Sequence, residues 1–447
     1  MATVADVTVR TGRRSELGLL GLAVAVAVLA RGLVDYHADF LELDELALYA
    51  AAWCGTALVI HLAIRRWAPF ADPVLVPAVL ALNGIGLAMI RRIDFAYANR
   101  GRDTDFGQVQ EVWTLLGIVL ALLVILLLRD YRLLRRFTYT AGVLGLIGLL
   151  LPLVPGLGKE INGAKIWISV LGRSLQPAEF AKIAFVVFFA GFLVTNRDTL
   201  ALAGPKVLGM RFPRPRDMGP LALVWVAAML VQIYERDLGT SLLLFGIFVA
   251  MLYVATERLS WVLVGLGMFG FGAVLAGTLF SHVQVRYTAW LHALDREVYS
   301  SGTSEQLVRG LFGMANGGLF GTGLGEGRPD LVPYAESDFI VASLGEELGL
   351  TGLMAILTLY VIIVQRAMRT AIGTRHGFGK LLAAGLGFAI ALQVFIVVGG
   401  VTRVIPLTGL TTPFLAYGGS SMLANWMIIG LLLRLSDQAR RPEEVAA

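Results

Sequence analysis

Cysteine is nearly missing from this sequence: one residue, Cys54, stands in 447. No disulfide can form within the chain, a zinc site has no support, and cysteine usage says nothing of redox compartment. Histidine is scarce too, at five residues, and His282 and His292 are too isolated for metal ligation. Charge is also short. Charged residues make up 15% against 57% hydrophobic, and mean hydropathy is +0.74, a balance no soluble chain of this length could keep off its surface. The net charge of +5 lies scattered through loops instead of forming a patch, so no nucleic-acid partner is expected. Alternation of the barrel-strand kind is absent as well, and the apolar runs are continuous, which points to helices. No soluble domain and no internal repeat is visible.

What is present is a series of runs long enough for a ~30 Å hydrocarbon core, which takes roughly 17 to 25 helical residues. They fall at 17–34, 45–64, 74–90, 112–128, 138–154, 176–194, 219–234, 238–255, 261–280, 338–364, 381–402 and 411–434. The expected fold is therefore all-α, a polytopic membrane helix bundle of about twelve spans. The first run follows a polar stretch with Arg10, Arg13 and Arg14 and shows no small-residue cleavage pattern, so it reads as an uncleaved helix. With both termini in the cytoplasm, the internal loops collect bases such as Arg65, Arg66, Arg135, Arg136, Arg214, Arg369 and Lys380. This satisfies the positive-inside rule. Acids gather on the opposite side, from Asp35, Asp39 and Asp44 to Asp237, Asp295 and Glu297. Two connections are long: 195–218 inside, and 281–337 outside, where a long loop in a compact protein is often functional.

Ionisable side chains inside spans cost roughly 2.5–3.5 kcal/mol each on insertion scales, so they need a reason. Glu179 and Lys182 are three apart on one helix face, with Gln176 one turn earlier. Glu346 and Glu347 would sit about 12 Å beyond Asp338 along a helix starting there, one facing the bundle and the other a polar neighbour or cavity edge. A buried ion pair fixing helix register accounts for the first pair; a polar cavity open to the outer face accounts for all of them. Composition alone does not separate a pore or transporter from an embedded enzyme.

Several ordered blocks carry a resemblance. They are Asn162-Gly-Ala-Lys-Ile-Trp167, Gln176-Pro-Ala-Glu-Phe-Ala-Lys182, Asp237-Leu-Gly-Thr240, Gly317 through Gly325, Ser337-Asp-Phe339, Gly345-Glu-Glu-Leu-Gly349, Pro406-Leu-Thr-Gly409 and Pro413 through Ser421. Together they resemble the SEDS family of cell-wall synthases, the RodA/FtsW-like proteins, over residues 74 to 434. The family core has ten spans. Residues 1–73 then look like a cytoplasmic tail with two additional helices, 435–447 like a second tail, and the N-terminal addition with the Pro406 block leans towards the RodA branch.

The resemblance implies a peptidoglycan glycosyltransferase that joins lipid II units into glycan strands at the outer membrane face, among membrane lipids and beside a class B penicillin-binding protein. Such a reaction inverts the anomeric carbon as undecaprenyl pyrophosphate leaves. It needs a base near the attacking hydroxyl and charge near the departing diphosphate. In the family the base is an aspartate of the long external loop shortly after a Trp, which here implies Asp295 after Trp290. The usual following Asp-Pro and Gly-Tyr-Gln pattern is missing, which keeps Glu297 as a rival base. Glu179 is expected to pair with the loop acid, raising its basicity or sharing a divalent cation, Mg or Mn, with it. Lys182, Lys165 and Arg403 are candidates for the diphosphate, Lys165 equally for an interfacial snorkelling role. Trp167, Gln176, Asp338, Ser420 and Ser421 complete the expected substrate-binding set, although Gly418 to Ser421 also reads as a close helix contact or kink. The run Gly321 to Gly327 lacks the strand and helix of a nucleotide site; its glycines let the loop fold back, offering N–H groups to phosphate. The alternative is a lipid II flippase, which would show inverted repeats and broken midplane helices; neither is clear in the sequence.

Overall fold

The computed structural model describes residues 12–161, 164–170, 172–197, 206–207, 210–211 and 219–442; Arg10, Asn162 and Arg214 lie outside them. A helix coincides with every expected apolar run. In chain order they are α1 (Arg13–His37), α2 (Leu43–Trp67), α3 (Leu75–Ala98), α4 (Phe106–Leu127), the short α5 (Leu133–Arg136), α6 (Thr138–Leu150) and α7 (Pro177–Thr195). Then follow α8 (Gly219–Glu235), α9 (Leu238–Thr256), α10 (Leu259–Leu279), the loop helices α11 (Ser281–Leu291), α12 (Arg296–Ser300) and α13 (Glu305–Gly317), and α14 (Ile340–Gly373), α15 (Gly377–Val401) and α16 (Gly419–Arg440). Among the described residues, nine helices are long and apolar enough to cross a membrane. The runs at 138–154 and 219–234 form shorter apolar helices, and α16 carries Arg434, Asp437 and Arg440 in its last turns. The chain is a polytopic helical membrane protein.

Two local departures have plain causes. Residues 411–418, expected inside the last span, precede α16 as non-helical chain: Pro413 lacks an N–H, and Phe414 takes φ 65°. Strands also interrupt the helical pattern. Gly158–Ile161, Ala164–Val170 and Arg173–Leu175 form a three-stranded antiparallel sheet in chain order, β1 to β3, between α6 and α7. Ile166, Ile168 and Val170 alternate there with Lys165, Trp167 and Ser169, a period-two pattern that suits a strand and no spanning helix. Lys206–Val207 and Met210–Arg211 pair as β4 and β5 in the 195–218 connection.

The centre of the bundle is α3, α7 and α15, whose most apolar windows are 89%, 78% and 72% buried, whereas α10 is 6% buried and presents nearly its whole surface to the surroundings. Close approach at the centre depends on small residues. A side chain at Gly84 would collide with Ala27 of α1, and one at Gly117 with the buried ring of Trp426. At the end that carries the bases, two buried acids tie segments together. Asp72 bonds Arg440 and lies 3.8 Å from Arg366, while Asp437 accepts from the Phe70 N–H at 2.9 Å and from Arg441 at 2.9 Å.

The long loop folds back as an ordered unit. α14 is broken at Gly349, which takes φ 68°, ψ −172°. A break in a membrane helix leaves backbone groups that water does not reach. Here the loop after α13 supplies the partners: Thr322 and Gly323 N–H donate to Glu346 and Glu347 carbonyls, and Leu350 and Thr351 N–H donate to Gly318 and Leu319 carbonyls, all at 3.0 Å. From Leu350 to Gly373 the second piece runs roughly 36 Å at ~1.5 Å per residue, long enough to span alone, so the break belongs to the end of the bundle that carries the long loop.

Candidate active site

Pro177 opens α7, where a missing N–H costs nothing, and the 3.6-residue repeat then puts Glu179 and Lys182 on one buried face. Lys182 is 1% exposed. Its Nζ donates to Glu179 Oε2 at 2.5 Å, Gln393 Oε1 at 2.8 Å and Asn425 Oδ1 at 3.4 Å. All three ammonium hydrogens therefore have an acceptor, as a buried charge requires. Gln393 in turn donates to the Thr411 carbonyl at 2.9 Å, and Asn425 to Ser421 Oγ at 3.1 Å. Ser420 Oγ receives the Gln176 N–H at 2.8 Å. The expected residues Gln176, Glu179, Lys182, Ser420 and Ser421 thus meet in one polar track through the bundle, completed by Gln393 and Asn425. Those two carried a signal that went unused: each is a lone amide in an otherwise apolar run.

A second group gathers where the long loop meets the bundle. Asp237 caps α9, accepting from Thr240 N–H at 2.9 Å and Thr240 Oγ1 at 2.7 Å. Burial raises its carboxyl, and the Arg286 guanidinium works against that rise. Asp338, in the loop before α14, is pushed up to about 6 by burial and then by Glu336, again opposed by Arg286. Arg286, on α11, donates to the carbonyls of Leu407 and Thr408 at 3.3 and 3.2 Å and is lowered by its own burial. Sequence reasoning passed over Arg286 because it sits in an ordinary polar stretch of loop; its burial is a product of tertiary packing.

Asp295 and Glu297 are exposed just beyond α11 in the same loop. Asp295 Oδ2 lies 2.9 Å from His292 Nδ1, with both side chains about 60% exposed. The segment before it is held firmly. Trp290 Nε1 donates to the Arg403 carbonyl at 3.0 Å, while Arg403 donates to the carbonyls of Trp290 at 2.7 Å and Leu291 at 2.8 Å. Arg403 takes φ 62° to do so. Its guanidinium neutralises the carbonyl end of α11 and is spent on that contact, which argues against the diphosphate role expected for it. Lys165 and Trp167 lie half-buried on β2, apart from the Lys182 track in sequence and element.

Glu179 and Asp295, expected to share a divalent cation, have different partners: Lys182 for one, His292 for the other, with no hydrogen bond or ion pair between them. Among the described residues no group of three or more His, Cys, Asp or Glu side chains could hold a metal ion. A second cation beside Glu179 would face the Lys182 ammonium directly, so the pair as placed does not fit a shared metal.

Glu346 and Glu347 are both buried. Asn316 Nδ2 donates to Glu346 Oε1 at 3.1 Å; Arg92 Nε donates to Glu347 Oε1 at 3.1 Å and the Gly325 N–H to Oε2 at 2.8 Å. The glycine-run N–H groups expected to face phosphate are thus turned onto the chain itself.

Comparison with known proteins agrees with this architecture. The family model described as "Cell cycle protein", covering FtsW, RodA and SpoVE, matches residues 73–441. A Mycobacterium tuberculosis protein named peptidoglycan glycosyltransferase RodA is 49% identical over 434 residues, 97% of this chain and 92% of that one. Stage V sporulation protein E of Bacillus subtilis is 33% identical over 372 residues, 83% of this chain and 98% of that one. The crystal structure of Thermus thermophilus rod shape determining protein RodA superposes with TM-score 0.56 at 25% identity, covering 83% of this chain and 98% of its own. A chain from a peptidoglycan synthase complex that coordinates polymerization and crosslinking reaches TM-score 0.66 at 23% identity, over 83% and 99%, a likeness of fold. With a match over most of its length and near-half identity to full-length relatives, the chain belongs to the FtsW/RodA/SpoVE family of cell cycle proteins.

Proposed function

We propose that this chain is a peptidoglycan glycosyltransferase of the RodA type that polymerises lipid II at the outer face of the cytoplasmic membrane. The observation that carries the reading is the 49% identity, over 97% of the chain, to a mycobacterial relative named for that activity. The buried polar track supports it, because ionisable groups persist inside a membrane where a substrate path uses them. Asp295 is the base: its exposed carboxylate takes the proton of the attacking sugar hydroxyl, with His292 beside it and the Arg403 clamp fixing the segment. Glu297, one helical turn opening further on, is the rival for this role. Glu179, Gln393 and Asn425 hold the Lys182 ammonium in the track, from where its charge acts on the departing diphosphate at a distance and not by direct hydrogen bond. Lys165 and Trp167 on β2, with Asp338 at the mouth, contact the anchored disaccharide. Both termini lie in the cytoplasm, in line with the basic inner loops. A class B penicillin-binding protein crosslinks the product strands.

One observation favours a second reading. A broken helix, the device expected of a flippase, is present at Gly349. Four of its freed backbone groups are taken up by the 318–323 loop, however, and so do not face a passing ion or headgroup. The two readings separate in one preparation. Purified protein given labelled lipid II in detergent forms glycan polymer, and Asp295→Asn abolishes it with folding intact. Polymer at normal rate from Asp295→Asn removes that residue from the mechanism; lipid scrambling in liposomes without polymer sinks the polymerase reading.

A further inference from the structure

The first two helices precede the family match, which begins at residue 73. The Thermus RodA chain is covered over 98% of its length by 83% of this chain. The mycobacterial relative, matched over 97% of this chain, does extend across them. The hairpin is thus an addition, and its outer end is built against one element in particular.

Ala30 and Val34 of α1 and Ala88 of α3 form a small apolar cluster separate from the main core, and Leu324 of the glycine-rich loop packs into it. At the next residue, Gly325, an added Cβ would lie 2.8 Å from His37 Cβ, at φ 103°, so the loop backbone passes directly against the His37 side chain of α1. Glu326 Oε1 is 3.3 Å from His37 Nδ1. α1 is in turn tied to the bundle: Arg91 and Arg31 both hold Asp35, at 2.6 and 3.2 Å, and Arg31 reaches Glu111 of α4 at 2.9 Å. Just before Leu324, the loop carries the N–H groups that close the break in α14; just after it, Gly325 N–H caps the Glu347 carboxylate that Arg92 neutralises.

We propose that the outer end of the α1–α2 hairpin is a latch on this re-entrant loop, with Ala30, Val34 and His37 as positioning residues that hold residues 321–326 in the break of α14. Without the latch, residues 321–326 are held by the bonds of Thr322 and Gly323 to the Glu346 and Glu347 carbonyls and by the Gly325 N–H on the Glu347 carboxylate. The loop's departure would leave the Glu346 and Glu347 carbonyls without these donors at membrane depth and the Glu347 carboxylate to Arg92. The proposal concerns what holds the loop and stands whether or not lipid II is the substrate.

Hydrogen exchange on the full chain in detergent tests it. In the parent protein the Thr322, Gly323 and Gly325 amides exchange slowly. Leu324→Ser, which removes the apolar plug, and Ala30→Trp, which fills its notch, each speed exchange at these three amides at least tenfold while α7 and α16 keep their protection. Leu324→Met, which retains the plug, restores slow exchange. Unchanged loop exchange in both disruptive variants overturns the proposal, and so does a rise that spreads equally to α7 and α16.

Discussion

Glu179→Gln and Lys182→Met, singly and together, probe the centre of the site. Lys182 is 1% exposed and makes three bonds, of which the shortest, at 2.5 Å, goes to the one charged acceptor. Glu179→Gln keeps an oxygen within reach but leaves the ammonium with neutral acceptors only. Breaking a buried pair from one side costs about 3–5 kcal/mol, because the surviving charge is uncompensated. Gln393 and Asn425 still solvate Lys182 in this variant, which places the expected loss near the lower end, about 3 kcal/mol. Lys182→Met leaves Glu179 without another side-chain donor among the described residues and should cost about 4–5 kcal/mol. The double variant replaces both charges, and its loss should fall well short of the sum, with a coupling of about 2–3 kcal/mol. The assay is unfolding of the four proteins in one detergent, by denaturant or heat. Additive losses would refute the account, since they would mean the two side chains do not neutralise each other in the folded protein. Each single variant should also stop polymer formation, and the double variant should not regain it.

Further outcomes follow from single sites. Asp338 has an ordinary value of 3.8 and is held at about 6 in the folded protein. A raised carboxyl binds its proton more tightly when folded, so this contribution to stability is full below pH 3.8 and is lost as pH rises through 6. Asp338→Asn should therefore flatten the dependence of unfolding temperature on pH between these values and stabilise the protein at neutral pH; a steeper dependence in the variant contradicts the assignment. Gly349→Ala forces a side chain into φ 68° against the loop backbone, and a loss of at least about 1–2 kcal/mol is expected in the same unfolding assay, with faster exchange at Leu350 and Thr351. Arg403→Gln removes the charge from the α11 carbonyl end; proteolysis at the Leu291–Asp295 segment should speed up, and an unaltered cleavage rate would show that Trp290 alone holds it.

The spans were legible because crossing a bilayer demands continuous apolar length, a requirement each helix meets by itself. The face shared by Gln176, Glu179 and Lys182 was legible for a similar reason: helical spacing is local. What the sequence could not disclose is where a side chain aims once it has reached the right depth. Arg403 lies where a diphosphate ligand was expected, yet its donors end on the carbonyls of Trp290 and Leu291, more than a hundred positions earlier in the chain. The glycine run invites phosphate for the same reason it serves the break in α14: exposed N–H groups on a tight backbone suit any fixed acceptor. Glu346 and Glu347 settle the matter, because their own carbonyls are stranded by Gly349 and lie within 3.0 Å of those donors. Two adjacent acids, about 100° apart around the helix, are both buried because the loop seated in the break folds over them. Asn316 meets the first and Arg92 the second. The break therefore explains the buried acids as much as it explains the glycines, and neither pattern could be read alone.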